Sequence, residues 1–384
     1  MSKLTSALAT PLREHLDRLS SFEPSEDAPV LSLYLDAQPD QHGRDHYDVW
    51  LRKTLSERAA TFKGAARESF DQDAARITAF LAEDGRRSAN GFAIFTCAQR
   101  GLFDTLQLDV PFDDHWLFIG SVPHLYPLAK LNDQFPRYAA LLVDTNSARL
   151  FVFGLGSRES EQDVKNVKTR KSSQGGWSQA RYQRHLANFH LHHIKEVVDT
   201  LERVVREEVI NQIVLSCDEV VKPTLLEQLP QHVSDKVIDI VRMDINAPEH
   251  AILTTTMEAL RGHDAETDTE RVMALLGAWR ANGLGVVGTE ATLQALEMGQ
   301  VEELLITATP ALVERAKGVT TPVAPGAVEV DTSAVAADLD PERLKMSDEL
   351  VTKAQQTSAR IRFIEDAALL ADVGGVGAIL RFKI

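Results

Sequence analysis

Apolar positions in this chain fall into short β-type runs separated by stretches of helical spacing. Leu4 to Leu19 has the helical period, and Pro29 to Asp36 alternates and is rich in β-formers, so it predicts a strand. Asp45 to Phe62 and Gln72 to Glu83 predict helices. Gly91 to Cys97, Leu102 to Val110 and Trp116 to Ile119 predict successive strands, and Pro123 to Asn132 a linker.

A second group of elements opens with the strand Tyr138 to Asp144, a polar turn at Thr145-Asn146-Ser147 and a returning strand Arg149 to Phe153. From Tyr182 to Glu208, Leu186, Phe189, Ile194, Val197, Val198, Leu201 and Val205 share one face of a long helix. Gln212 to Cys217 is a buried-type strand, Lys222 to Gln228 a short helix and Val237 to Val241 another strand. A third group begins near Asp268. It comprises helix Glu270 to Ala281, strand Leu284 to Val287, a helix opened by Thr289 and stopped at Gly299, and strand Val301 to Thr307. Ala311 to Leu339 reads as loop; helix Asp348 to Ala359 and strands Ile361 to Ile364 and Gly377 to Phe382 close the chain. The expected fold is α/β in three domains: a mixed α+β domain over 1–132, an α/β domain over 133–265 and an α/β sandwich over 266–384.

The 44% hydrophobic content of these 384 residues supports real cores, and no apolar run reaches the length of a membrane span. The N-terminus lacks the apolar core and cleavage site of a signal peptide. Cys97 and Cys217 each lie in an apolar run and read as two buried thiols in a reducing cytoplasm. No Cys/His spacing resembles a zinc site, and the imidazoles of His190, His192 and His193 spread over different faces of a helix, so no metal site is expected.

Charge changes the picture most. The net charge is −15, yet Val164 to Lys195 contains no acid. It carries Lys165, Lys168, Arg170, Lys171, Arg181, Arg184 and Lys195 with His185, His190, His192 and His193. Gly175-Gly176-Trp177-Ser178-Gln179 sits in its middle, just before the long helix. A basic, glycine-hinged loop feeding a basic helix suits a polyanion, while the acidic remainder keeps most of the surface off nucleic acid. A solvated surface loop has the same composition. No paired carboxylates, metal motif or Ser/His/Asp arrangement stands out elsewhere.

Several segments carry a family resemblance, in order. Ser32-Leu33-Tyr34-Leu35 resembles the first-domain strand of the archaeo-eukaryotic class 1 release factors and Pelota-like rescue factors. Gly175-Gly176-Trp177-Ser178-Gln179-Ala180-Arg181-Tyr182 resembles their Gly-Gly-Gln loop and the start of the helix after it. Thr289 to Gly299, followed by Val301-Glu302-Glu303-Leu304-Leu305-Ile306, resembles their last domain, which shares the fold of kink-turn-binding ribosomal proteins; Gly374 to Phe382 is similar to that domain's closing strand. The chain is thereby identified with a bacterial branch of this family, related to peptidyl-tRNA hydrolases of ribosome quality control and to Balon-type hibernation factors.

The resemblance implies a protein that occupies the ribosomal A site and reaches the peptidyl transferase centre with its glycine loop. There the ester of peptidyl-tRNA is hydrolysed, with no metal or free cofactor. It implies catalytic roles for Gln179, Gly175 and Gly176. Lys165, Lys168, Arg170, Lys171, Trp177, Arg181 and Arg184 would meet RNA phosphates and bases of the large subunit or the tRNA. A translational GTPase, elongation factor Tu among the candidates, or a splitting ATPase would meet the last domain.

The loop departs from the family pattern. Trp177 stands where the family has Gln, and Gln179 lies two residues on. Three readings follow. Gln179 works in a reshaped loop; or hydrolysis is lost and Trp177 stacks on RNA in a hibernation or protection factor; or Trp177 packs on its own domain and Gln179 only starts a helix. The stop-codon motifs Asn-Ile-Lys-Ser and Tyr-x-Cys-x-x-x-Phe are absent from the sequence, so action independent of stop codons is expected.

Overall fold

The structure is a computed structural model that describes residues 12–24, 28–38, 47–85, 88–155, 157–165, 179–314, 331–332 and 341–383. The chain divides into two compact units, Phe135–Thr267 and a second built from Met1–Gln134 with Asp268–Ile384.

The two-segment unit holds two sheets. In the first, β1 (Val30–Asp36), β2 (Gly91–Cys97), β3 (Leu102–Leu108) and β4 (Trp116–Gly120) pair antiparallel, and the short β12 (Asp331–Thr332) joins the β4 edge, giving the order β12-β4-β1-β2-β3. Alternation places Leu31, Leu33 and Leu35 of β1 with Phe92 and Ile94 against α2 (Tyr47–Ala59) and α3 (Gly64–Glu83) through Leu51, Leu55, Phe70 and Ile77. Helix α3 starts eight residues before the expected Gln72, where Lys63 takes the extended N-cap conformation.

Helix α1 (Leu12–Ser20) is fastened to β3 by charge: His15 Nδ1 lies 2.9 Å from Asp104 Oδ1, and the Arg18 guanidinium donates to Asp104 Oδ2. Burial alone would raise the Asp104 carboxyl, but hydrogen bonds and charge from His15 and Arg18 outweigh it and hold it below its ordinary value. A carboxyl depressed in the folded state stabilises above its unfolded pKa, about 4, and loses that contribution as pH falls through the depressed value. Asp104→Asn is therefore expected to cost about 1–3 kcal/mol at pH 7 in urea unfolding. The difference from wild type closes in strong acid, and a deficit unchanged at pH 2.5 would refute the assignment.

The second sheet has the order β10-β14-β11-β13, from β10 (Gly285–Val287), β14 (Val376–Leu380), β11 (Val301–Thr307) and β13 (Arg360–Ile364). Only β11 and β13 run parallel. Leu305, Ile364 and Ile379 pack against Val272 and Leu275 of helix α8 (Glu249–Arg280); α9 (Thr289–Glu297) and α10 (Pro341–Gln356) lie over the sheet as well. The expected sandwich is present in this sheet.

Some elements depart from expectation. The expected linker Pro123–Asn132 contains helix α4 (Tyr126–Gln134). Leu125, Tyr126, Leu128, Ala129 and Leu131 are buried, and Pro127 falls in the first turn, where its missing N–H costs nothing. Its amino end is capped from far away: Leu125 N and Tyr126 N donate to Asp348 Oδ1 at 2.6 and 3.0 Å. The helix expected from Glu270 is the end of α8, which runs 32 residues without a break. The helix expected from Asp348 begins at Pro341.

The Phe135–Thr267 unit is a sheet of order β7-β6-β5-β8-β9, from β5 (Tyr138–Val143), β6 (Ser147–Gly154), β7 (Ser157–Lys165), β8 (Ile213–Cys217) and β9 (Val237–Val241). β5, β8 and β9 are parallel; β6 and β7 return antiparallel. Ala139, Leu141 and Val143 face α5 (Gln179–Glu207), α6 (Lys222–Gln228) and α7 (Gln231–Ser234), with Val197, Leu201 and Leu225 as their partners. Tyr138, Ala140 and Leu142 face the first part of α8 through Ile252, Met257 and Leu260. Helices on both faces bury the central strands completely.

Candidate nucleic-acid interface of the middle unit

The basic segment is framed by one strand end and one helix start. Val143 of β5 pairs with Ala148 of β6, and Ser147 pairs with Lys165, the last residue of β7. Lys165 thus lies at the carboxyl ends of β5 and β8, in a strand and not in the loop where the sequence placed it. That strand escapes detection because Ser157 to Gln162 is polar on both faces. Lys168, Arg170, Lys171, Gly175, Gly176 and Trp177 lie outside the described residues.

Gln179 is the first residue of α5, and Arg181 and Arg184 belong to its first two turns. The helix ends by the amino end of the central strand: Arg137, next to the start of β5, donates to Glu208 O at 2.8 Å just after the last turn. Ile194 is a buried core residue of the helix, and from there to Glu207 is about 20 Å, the span of one strand of this sheet. The whole helix of 29 residues is about 43 Å long. The stretch from Gln179 to His193 accounts for about 22 Å of that length. The first amides of a helix have no intrahelical acceptor and carry the positive end of the dipole. Lys165, Gln179, Arg181 and Arg184 thus belong to a strand end and a helix end that bracket residues 166–178.

Beside this frame is a feature the sequence reading missed, a cleft of about 470 Å³ lined by Asp144, Ser216, Cys217, Asp218, Glu219, Arg242 and Asp244. It sits where the connections from β5 and β8 depart in opposite directions, β5 to its neighbour β6 and β8 to β9 on the other side. Asp144 Oδ1 accepts from Asn146 N and Ser147 N at 2.7 Å each, and Asp218 Oδ1 from Val220 N at 3.0 Å. These carboxylates shape the turns that follow β5 and β8. Burial pushes the Cys217 thiol up, with Lys222 opposing and Glu219 and Asp218 adding to the rise, so it is a poor nucleophile at neutral pH. Cys97 is buried and Cys217 half-buried, and neither is in a disulfide.

Among the described residues no group of three or more His, Cys, Asp or Glu side chains is arranged to hold a metal ion. None of their helices is long and apolar enough to cross a membrane.

Residues 123–261 match the model of bacterial archaeo-eukaryotic release factor family 10, and residues 270–384 match eRF1 domain 3. The chain belongs to the archaeo-eukaryotic release factor family. The first match spans nearly all of the Phe135–Thr267 unit and the second spans the β10-β14-β11-β13 sheet, while residues 1–122 lie outside both. Similar solved structures include an archaeal translation termination factor, aRF1, at 17% identity and TM-score 0.25 over 97% of each chain. Dom34 of S. cerevisiae, described as a translation termination-like factor of RNA quality control that interacts with Hbs1, is 10% identical with TM-score 0.41, over 76% of this chain and 81% of that one. An archaeal Pelota, from a model of the ribosome-bound protein with ABCE1, is 11% identical with TM-score 0.40, over 97% of this chain and 94% of that one. No curated protein matches this chain.

Proposed function

We propose that this release-factor-like protein is a cytoplasmic ribosome-associated factor. It enters the A site without reading a stop codon and rescues stalled ribosomes by hydrolysing the peptidyl-tRNA ester. The observation that carries the proposal is the bracketing of an acid-free basic segment by Lys165 at a strand end and Gln179 at a helix start. Lys165, Lys168, Arg170, Lys171, Arg181 and Arg184 neutralise phosphates of the large-subunit RNA and tRNA, which supplies affinity without sequence choice.

Hydrolysis needs a water held in line with the ester carbonyl and a donor for the developing oxyanion. In this proposal the Gln179 side chain positions the water and the unpaired amides of the first turn of α5 stabilise the oxyanion. Gly175 and Gly176 let the backbone come close to the ester. The two sheets of the Met1–Gln134 and Asp268–Ile384 unit serve as an N-terminal domain and a C-terminal domain, the second meeting a translational GTPase or a splitting ATPase. That Dom34 interacts with Hbs1, and that archaeal Pelota is drawn with ABCE1, supports such partners.

The test is release of labelled peptide from ribosomes carrying peptidyl-tRNA and an empty A site. Gln179→Ala is expected to lower the release rate by about 10²-fold or more while ribosome binding is kept. Wild-type release by that variant would refute the catalytic role. Trp177 in the family's glutamine position favours a second reading, a non-hydrolytic hibernation or protection factor in which Trp177 stacks on a base. Tight binding with no release by the wild type would establish that reading.

A further inference from the structure

Within the two-segment unit, one short stretch ties the first sheet to the C-terminal domain. His124 N donates to Ser32 Oγ at 2.9 Å, and Tyr34 OH donates to His124 O at 2.6 Å, so the residue is held by β1. Its ring stacks on Phe118 of β4 with centroids 3.6 Å apart. On its other side His124 Nδ1 is 3.3 Å from Asp348 Oδ2 of α10, while Asp348 Oδ1 takes the Leu125 and Tyr126 amides. Tyr126 OH donates to Thr307 O of β11 at 2.6 Å, and at the far end of α4 Phe363 N of β13 donates to Asp133 Oδ2 at 2.8 Å. Asp348 is thus a nearly buried carboxylate with backbone and imidazole partners from the other chain segment on both of its oxygens.

A buried acceptor with partners on two sheets makes their stabilities interdependent, because opening one side strands polar groups on the other. We propose that Asp348 is a coupling latch. Through it, strain or a bound partner at the C-terminal domain changes the stability of β1 and β4, and by linkage a ligand at the first sheet changes the C-terminal domain. This goes beyond the ribosomal reading and is measured on the free protein, so it stands or falls separately from it.

The experiment is hydrogen exchange of the full-length protein, followed by mass spectrometry under conditions where opening precedes exchange. Val351 is fully buried in α10, and Val351→Ala loosens the C-terminal domain while leaving the Asp348 carboxylate itself in the chain. In that variant, exchange of α10 and β13 is expected to speed up about tenfold, with β1 and β4 following by a similar factor. In an Asp348→Ala background the same substitution is expected to speed up β1 and β4 at least threefold less than with Asp348 in place, the β12–β4 pairing and the bonds of Gln355 and Gln356 to α1 carrying the remainder. If Asp348→Ala does not fold, Tyr126→Phe, which removes only the hydroxyl bond to Thr307, replaces it and is expected to reduce the spread to β1 and β4 at least twofold. Exchange in β1 and β4 that ignores Val351→Ala would overturn the coupling. Undiminished spread in the latch variants would overturn the role of this junction.

Discussion

Replacing Lys165, Lys168, Arg170, Lys171, Arg181 and Arg184 by alanine together is expected to weaken ribosome binding by about 10³-fold at moderate salt. The reasoning is electrostatic. A chain of net charge −15 is repelled by RNA everywhere except where acids are excluded, and Val164 to Lys195 is such a place. Each phosphate contact releases condensed counterions, at about 0.7 of a log unit in affinity per log unit of salt on single strands. Removing all of these cations should therefore flatten the salt dependence by about 4 in slope. The core described for the unit is formed by Ile194, Val197, Leu201 and their partners, and an unchanged thermal unfolding midpoint of the variant is the control for its fold. An unchanged slope would mean that RNA meets another face.

Leu215→Ala is expected to cost the Phe135–Thr267 unit about 3–5 kcal/mol. Leu215 is fully buried in β8, the strand between β5 and β9, and its core contains Leu141, Val143, Leu201 and Leu225. Truncation leaves a cavity between strands and helices that cannot close over it. Thermal unfolding followed by site-specific probes should show this unit melting earlier, while probes on β1 and β11 hold their wild-type midpoint. A loss below about 1 kcal/mol would contradict the placement of Leu215 at the centre of the core.

Much of the fold was legible because its strands obey simple periodicities. Leu31, Leu33 and Leu35 alternate, and Ile194, Val197, Val198, Leu201 and Val205 keep helical spacing; each stands where expected. Failures have physical causes. Helix α4 hides behind Pro123 and Pro127, and its cap is Asp348, more than two hundred residues away. The continuity of α8 is masked by the polar stretch Arg261 to Thr267, which includes Gly262 and has no buried residue. β7 lacks an apolar face. Of the candidate site, the charges and glycines at 165–184 were visible as composition and spacing. The cleft was not, because Asp144, Asp218 and Asp244 come from separate turns and converge only when β5, β8 and β9 pair.

The central claim is that the protein occupies a vacant ribosomal A site. The most direct measurement is cosedimentation with ribosomes that carry peptidyl-tRNA, with the A site either empty or filled by a tRNA. The account predicts stoichiometric binding to the empty-site ribosomes and exclusion from the filled ones. Equal binding to both, or none to either, would contradict it.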